Sequence, residues 1–189
     1  MSPAATPALI VIPARLSSTR LPRKMLLAET GRPLVHHTWL AATGATRARS
    51  VVVATDSDEI AAAVRAFGGE VVMTSPEATS GTARIVEALP RLPEAAIIVN
   101  MQGDEPELPA TALDAAIDLL ERCPEAGVAT LVTPLRSRDD LADPAAVKAV
   151  LTPWREPPEE GEWAGAAVPG AWRAVYFSRA AVPAARDWS

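Results

Sequence analysis

Short, wholly apolar runs alternate along the chain with stretches whose apolar residues recur at helical spacing. The runs "ALIVIPA", "SVVVATD" (50–56), "EVVMTS" and "AAIIVN" (95–100) are too short for stable helices. They also lack the strict alternation of a strand with one wet face, so they read as strands buried on both sides. Between them the signals are helical. Residues 33–43 open on Pro33 at a first turn and stop at Gly44. Residues 57–69 begin with Ser57 as a cap, carry Asp58 and Glu59 in the first turn and end on glycine. "SGTARIVEALPRL" reads as a turn and then a helix, and "PATALDAAIDLLERC" (109–123) is the clearest amphipathic helix. "GVATLVTPL" is expected to add a further strand.

Buried strands alternating with helices predict the α/β class, a mostly parallel sheet flanked by helices. Ligands of such sheets bind beyond the carboxyl ends of the strands. The most polar loops, 13–24, 74–82 and 101–107, fall at those ends. After residue 133 the pattern loosens. "DPAAVKAVLTP" and "RAVYFSRAAVP" each suggest a short strand, and the Pro-, Gly- and Glu-rich stretch between them suggests a loose insertion at 154–170. Residues 1–8 are expected to be a flexible tail, and 9–189 one domain.

Composition narrows this little, but charge placement changes the picture. The chain of 189 residues carries a formal net charge of −5. Residues 1–49 nevertheless hold seven Arg and Lys against one acid, Glu29, while the remainder holds eleven against twenty-two. Four of those cations, Arg15, Arg20, Arg23 and Lys24, fall in "IPARLSSTRLPRK", beside Ser17, Ser18 and Thr19. Such a local excess suits an anion site rather than a nucleic-acid coat. A basic loop that pairs with the acidic remainder of the surface explains it equally well. There is no Walker or dinucleotide glycine motif. Cys123 is the single cysteine, so an internal disulfide is excluded and a reducing compartment fits. No apolar run approaches membrane-spanning length, and the N-terminus lacks the pattern of a signal peptide, so a cytoplasmic protein without membrane insertion is expected.

Asp104, in "VNMQGDEPELP" (99–109), stands at a strand end, where a carboxylate can hold Mg²⁺ for a nucleotide. Gly103 beside it could let backbone approach a ligand closely. Ser80, Gly81 and Thr82 can cap the following helix, and a helix N-terminus also suits an anion or a base edge, with Arg84 close by. His36 and His37 lack partners at metal spacing and read as structural. Trp154, Trp163 and Trp172 read as surface cover.

"IPARLSSTRLPRK", "SGTAR", "VNMQGDEP", "DPAAVKAV" and "YFSRAAVP" occur in the order found in the 3-deoxy-manno-octulosonate (Kdo) cytidylyltransferases, the CMP-Kdo synthetases. The chain resembles that family over residues 9–183. The resemblance implies a nucleotidyltransferase fold and transfer of CMP from CTP to Kdo, with pyrophosphate released and Mg²⁺ required, for lipopolysaccharide synthesis. It implies that Arg15, Arg20 and Lys24 hold the triphosphate with Ser18 nearby, and that Ser80, Gly81 and Arg84 help bind the nucleotide. Asp104 would bind Mg²⁺, Gln102 would contact sugar or nucleotide, and Arg179 would meet the Kdo carboxylate. A homodimer is also implied. There are departures. Arg23 stands where the family usually has Gly, as "PRK" does in sialic-acid cytidylyltransferases, while Ala78 and Ala83 replace an expected His and acid. The family's segment with a later His and a second metal Asp has no counterpart before residue 189. The alternatives are therefore a cytidylyltransferase for another acidic or polyol sugar, and a truncated CTP-binding relic without activity.

Overall fold

The computed structural model describes residues 8–17, 21–155 and 167–182, except for the side chains of 167–169. Ser18, Arg20 and Trp163 therefore lie outside the described residues, as do residues 1–7 of the expected 1–8 tail, whereas Ala8 is not tail but a buried residue of the first strand. The chain divides into two compact units, Met1–Ala129 and Thr130–Ser189.

In the first unit, β1 (Ala8–Ala14), β2 (Ala48–Thr55), β3 (Glu70–Met73) and β4 (Ile97–Asn100) form a parallel sheet in the order β3-β2-β1-β4. The helices are α1 (Leu34–Thr43), α2 (Asp58–Ala66), α3 (Gly81–Ala88) and α4 (Ala110–Arg122). The chain steps outward from β1 to β3 through α1 and α2. It then returns across the sheet to place β4 on the other side of β1. Right-handed crossovers require a reversal of direction to move the connecting helix to the opposite face. Burial bears this out. Ile10 and Ile12 pack with Val35 of α1, Ile60 and Val64 of α2 and Leu113 of α4, whereas Leu9 and Val11 pack with Ile85 and Ala88 of α3. Adjacent residues of β1 thus serve opposite faces, as a doubly covered strand must.

Pro13 lies inside β1, one residue short of its end. The parity of the ladder explains how a central strand tolerates it. Val11 O accepts from Met101 N at 3.2 Å, so Val11 turns its backbone groups toward β4 and Pro13, two residues on, does the same. The β1–β4 pairing ends at Val11 and Asn100. The missing N–H of Pro13 therefore faces a side where the ladder has already stopped.

The strand expected from "GVATLVTPL" does not form. Residues 128–136 have no ladder, Val128 is 84% exposed, and Leu131, Val132 and Leu135 are exposed as well. An apolar run fixes the preference for extended backbone, but a strand exists only where a neighbour supplies hydrogen bonds.

The second unit contains α5 (Arg138–Ala142), capped by Ser137, and an antiparallel pair, β5 (Lys148–Arg155) and β6 (Ala167–Ser178). Strand thus occupies both margins of the expected 154–170 insertion, and Trp154 and Trp172 sit in it. Arg173 lies 4.7 Å over the Trp154 ring. Lys148 is 3% exposed, and its ammonium donates to the carbonyls of Asp143, Ala146 and Arg179 at 2.8, 2.8 and 2.7 Å.

α4 is tied to the entry of β2 by one carboxylate. Asp114 accepts from Thr46 N, the Thr46 hydroxyl and Arg47 N at 3.0, 2.9 and 2.8 Å. Burial pushes this carboxyl up, but the hydrogen bonds and the Arg47 charge together outweigh it and hold its pKa below the usual Asp value. A depressed acid adds stability above its unfolded pKa, about 3.9, and loses it as pH falls through the lower folded value. Asp114→Asn should therefore destabilise the protein at neutral pH by roughly 1 kcal/mol. Thermal melts of both proteins should show that deficit shrinking as the solution is acidified below about pH 4. A deficit independent of pH would contradict this role.

Candidate active site

The strand order reverses between β1 and β4, the place where doubly wound sheets open a cleft at their carboxyl ends. A cavity of about 600 Å³ lies there, within the usual size of a small-molecule site. The three polar strand-end loops all contribute to it. From the end of β1 come Arg15 and Lys24, from the end of β4 come Gln102 and Asp104, and from the loop after β3 and the start of α3 come Ser80 and Gly81.

Two glycines make this convergence possible. A Cβ on Gly81 would lie 3.0 Å from Pro13 Cγ. A Cβ on Gly103 would lie 2.9 Å from Met25 Sδ and 3.1 Å from Pro13 O. Gly103 therefore admits the backbone of β1 and the Met25 side chain, and it also lines the cavity. Its carbonyl is fixed from the other side by the buried Thr38 hydroxyl, which donates to it at 2.7 Å.

The cations of the opening loop do different things. Arg15 is exposed, and no described residue pairs with it. Lys24 begins a short 3₁₀ turn, Lys24–Leu26, and its ammonium contacts the Asp104 carboxylate across the cavity wall. Arg23 turns away to Glu59 in the first turn of α2. The hydrogen bond from Arg23, together with its charge, holds the Glu59 carboxyl below the ordinary range, and the same partner raises Arg23. So the loop is partly a surface ion-pairing segment and partly a row of cations along the cavity.

Ser80 caps α3, its hydroxyl accepting from Ala83 N at 3.0 Å, and it lines the cavity at the same time. Gln102 donates to Asn100 Oδ1 at 2.9 Å. Arg84 differs from expectation. It borders the cavity, yet it is 2% exposed, and Asp56, Thr74 and Ser75 take up its guanidinium. Asp56 and Thr74 were not legible as site residues, although Asp56 ends the "SVVVATD" strand just as Asp104 follows "AAIIVN", and the same strand-end rule reaches both. Arg179 lies in the second unit, where its guanidinium donates to Pro144 O at 2.9 Å. His36 stacks on Phe67 with centroids 4.1 Å apart, and His37 lies 2.7 Å from the Thr30 hydroxyl. Desolvation holds the His36 pKa low, helped by Arg32 and His37.

The family profile described as Cytidylyltransferase matches residues 9–188. The chain belongs to the cytidylyltransferase family. Among its relatives, 3-deoxy-manno-octulosonate cytidylyltransferase 1 of Actinobacillus pleuropneumoniae serotype 5b (strain L20) is 42% identical over 182 residues, which are 94% of this chain and 64% of the relative. The 3-deoxy-manno-octulosonate cytidylyltransferase of Rhodopirellula baltica is 41% identical over 95% of this chain and 65% of its own length. A solved CMP:2-keto-3-deoxy-manno-octonic acid synthetase complexed with CTP superposes with a TM-score of 0.78 at 32% identity, over 96% of this chain and 68% of the other. The chain thus spans about 64–65% of these two curated relatives. A cytidylyltransferase from Leptospira borgpetersenii shares the fold over 62% of the chain, with a TM-score of 0.52 and 24% identity.

Within this family, the departure at position 23 has a backbone explanation. Arg23 adopts φ 56° and ψ 23°, a left-handed conformation that glycine enters freely and other residues enter at a cost. Arg23→Gly should melt no lower than the wild type, whereas Arg23→Val, β-branched in the same conformation, should melt several degrees below Arg23→Gly. Both variants lose the contact with Glu59, so the gap between their midpoints isolates the backbone strain. Equal midpoints would contradict it.

Proposed function

We propose that this cytidylyltransferase transfers CMP from CTP to Kdo. The observation that carries the reading is the clustering of Arg15, Lys24, Asp104 and the α3 N-terminus on one cavity, in a chain 42% identical to a Kdo cytidylyltransferase. In the reaction the anomeric hydroxyl oxygen of Kdo bonds to the α-phosphorus. The bond from that phosphorus to the bridging oxygen breaks, pyrophosphate keeps the electron pair, and the hydroxyl proton passes to solvent. No covalent enzyme intermediate is needed, so the protein contributes positioning and charge stabilisation.

Arg15 and Lys24 meet the triphosphate, with Arg20 and Ser18 on the same loop. Ser80 and Gly81 form the uncharged wall, and Gln102 turns its amide toward nucleotide or sugar. Asp104 fits a Mg²⁺ ligand on chemical grounds. Its carboxylate borders the cavity and already takes a cation, the Lys24 ammonium, and the described residues contain no cluster of three or more His, Cys, Asp or Glu that would make a closed metal cage. Mg²⁺ often takes one or two carboxylates and leaves its other positions to phosphates and water. Bound there, it would neutralise phosphate charge and ease departure of pyrophosphate. Arg179 is assigned to the sugar carboxylate. Beyond its donation to Pro144 O, its guanidinium has no other partner among the described residues. We read the protein as a cytoplasmic homodimer in lipopolysaccharide synthesis. No helix among the described residues is long and apolar enough to cross a membrane.

Lys24→Ala should weaken CTP binding by about 1.5–3 kcal/mol, the range for a charge-assisted hydrogen bond. A calorimetric titration with Mg²⁺·CTP that gives an unchanged Kd would remove Lys24 from the site. The sugar is tested by pyrophosphate release from CTP. Kdo should support it and N-acetylneuraminate should not, and the reverse preference would overturn the sugar assignment while leaving the reaction type in place.

A further inference from the structure

Arg84 is the largest fully buried side chain among the described residues, and nothing in the transfer reaction requires a buried guanidinium. It sits in the first turns of α3, four residues after the Ser80 cap. Its Nη2 donates to Asp56 Oδ2 at 2.8 Å, and its Nη1 contacts the Thr74 hydroxyl and lies 3.4 Å from Ser75 O. Asp56 follows the end of β2, while Thr74 and Ser75 follow the end of β3. One side chain therefore stitches the start of α3 to the ends of two strands. Thr74 N is in turn held by Thr55 O at 2.8 Å, and Ser75 N by Glu87 Oε1 of α3 at 2.6 Å.

The charge makes this stitch directional. A guanidinium with 2% exposure has no water to fall back on, and its ion-pair partner within the described residues is Asp56, itself 10% exposed. Breaking one side of a buried pair leaves an uncompensated charge, which the fold can relieve only by moving the charged group outward. For Arg84, outward lies the cavity it borders, and moving there would carry the Ser80–Gly81 turn away from Pro13 and Gln102. The other Asp56 oxygen, Oδ1, is buried without a hydrogen-bond partner. The carboxylate thus engages Arg84 through Oδ2, and its second oxygen anchors nothing else among the described residues.

We propose that Asp56 is a positioning residue of the nucleotide cavity. By neutralising Arg84 inside the fold, it makes that arginine a strut that sets the Ser80–Gly81 wall, not a ligand of the triphosphate. This rests on the reading of the cavity as the CTP site. It gives Asp56 a role in nucleotide binding although the residue does not line the cavity. It also separates the cations by role. Arg15 and Lys24 carry charge to the phosphates, and Arg84 carries none.

The test compares the wild-type protein, Asp56→Asn, and the doubly neutral Asp56→Asn/Arg84→Gln. Asn keeps the shape of Asp and can still accept from Arg84 through its amide oxygen, so it removes the charge alone. CTP is titrated by calorimetry with Mg²⁺ at low and high salt, and amide exchange across residues 74–88 is followed without nucleotide. Asp56→Asn should weaken CTP binding by about tenfold, the scale of a coupling between a remote position and a binding site. Its salt dependence should stay that of the wild type, because exposed charges answer to screening and a strut does not. Amides of 78–84 should exchange faster in this variant. The double variant should recover both binding and protection, since it leaves no buried charge unpaired. Tighter CTP binding in Asp56→Asn, or a steeper salt dependence, would mean that the released arginine reaches the phosphates, and would overturn the proposal. So would unchanged affinity and exchange, or a double variant that binds more weakly than Asp56→Asn. If the wild type itself binds no CTP, the reading of the cavity fails, and the exchange arm still decides by itself whether Asp56 holds the wall.

Discussion

The shape of the cavity depends on how closely two chain segments approach Pro13. The proline occupies the last stretch of the central strand, where the β4 ladder has stopped and its missing N–H is harmless. Gly81 and Gly103 close on it from α3 and from the end of β4, each at a distance that a Cβ would have to force open. Without that contact the loops after β1, β3 and β4 would still exist, but they would not share a wall. Close packing at one proline thereby turns three separate strand ends into a single binding surface.

Electrostatics then distributes roles on that surface. The protein is acidic overall, and the cations of its first 49 residues stand out against that background. Arg23 pairs with Glu59 and Arg84 with Asp56. Lys24 is held by Asp104, the carboxylate assigned to the metal. This last contact is a self-consistent resting arrangement. On the proposed function, a triphosphate-binding lysine and a metal-binding acid would satisfy each other until the ligand brings its own charges.

The sheet was legible because its four strands are buried on both faces and therefore wholly apolar, a signal that needs no tertiary knowledge. That Arg15, Lys24 and Asp104 share one cavity was legible for a related reason, since the strand ends of such sheets open on a common cleft. The segment 127–135 carries the same apolar signal and failed, since pairing depends on a neighbour that a local pattern does not report. The resemblance implies that Arg84 helps bind the nucleotide; its burial against Asp56 and Thr74, 28 and 10 residues away, is something a local pattern does not report. The insertion was drawn too wide because Pro, Gly and Glu mask strand margins, and backbone pairing of Arg155 with Ala167 overrides composition there. Position 23 shows the converse. A departure from the family pattern seemed to bear on the sugar, and the backbone shows a left-handed residue that replaces glycine.

The most direct test of this account is amide exchange of the protein with and without saturating Mg²⁺·CTP. Slowed exchange should be confined to the ends of β1 and β4 and the start of α3, at residues 14–26, 78–84 and 101–105. CTP binding that leaves those amides unchanged, or that protects the smaller cavity lined by Arg65, Glu70 and Arg91 instead, would contradict it.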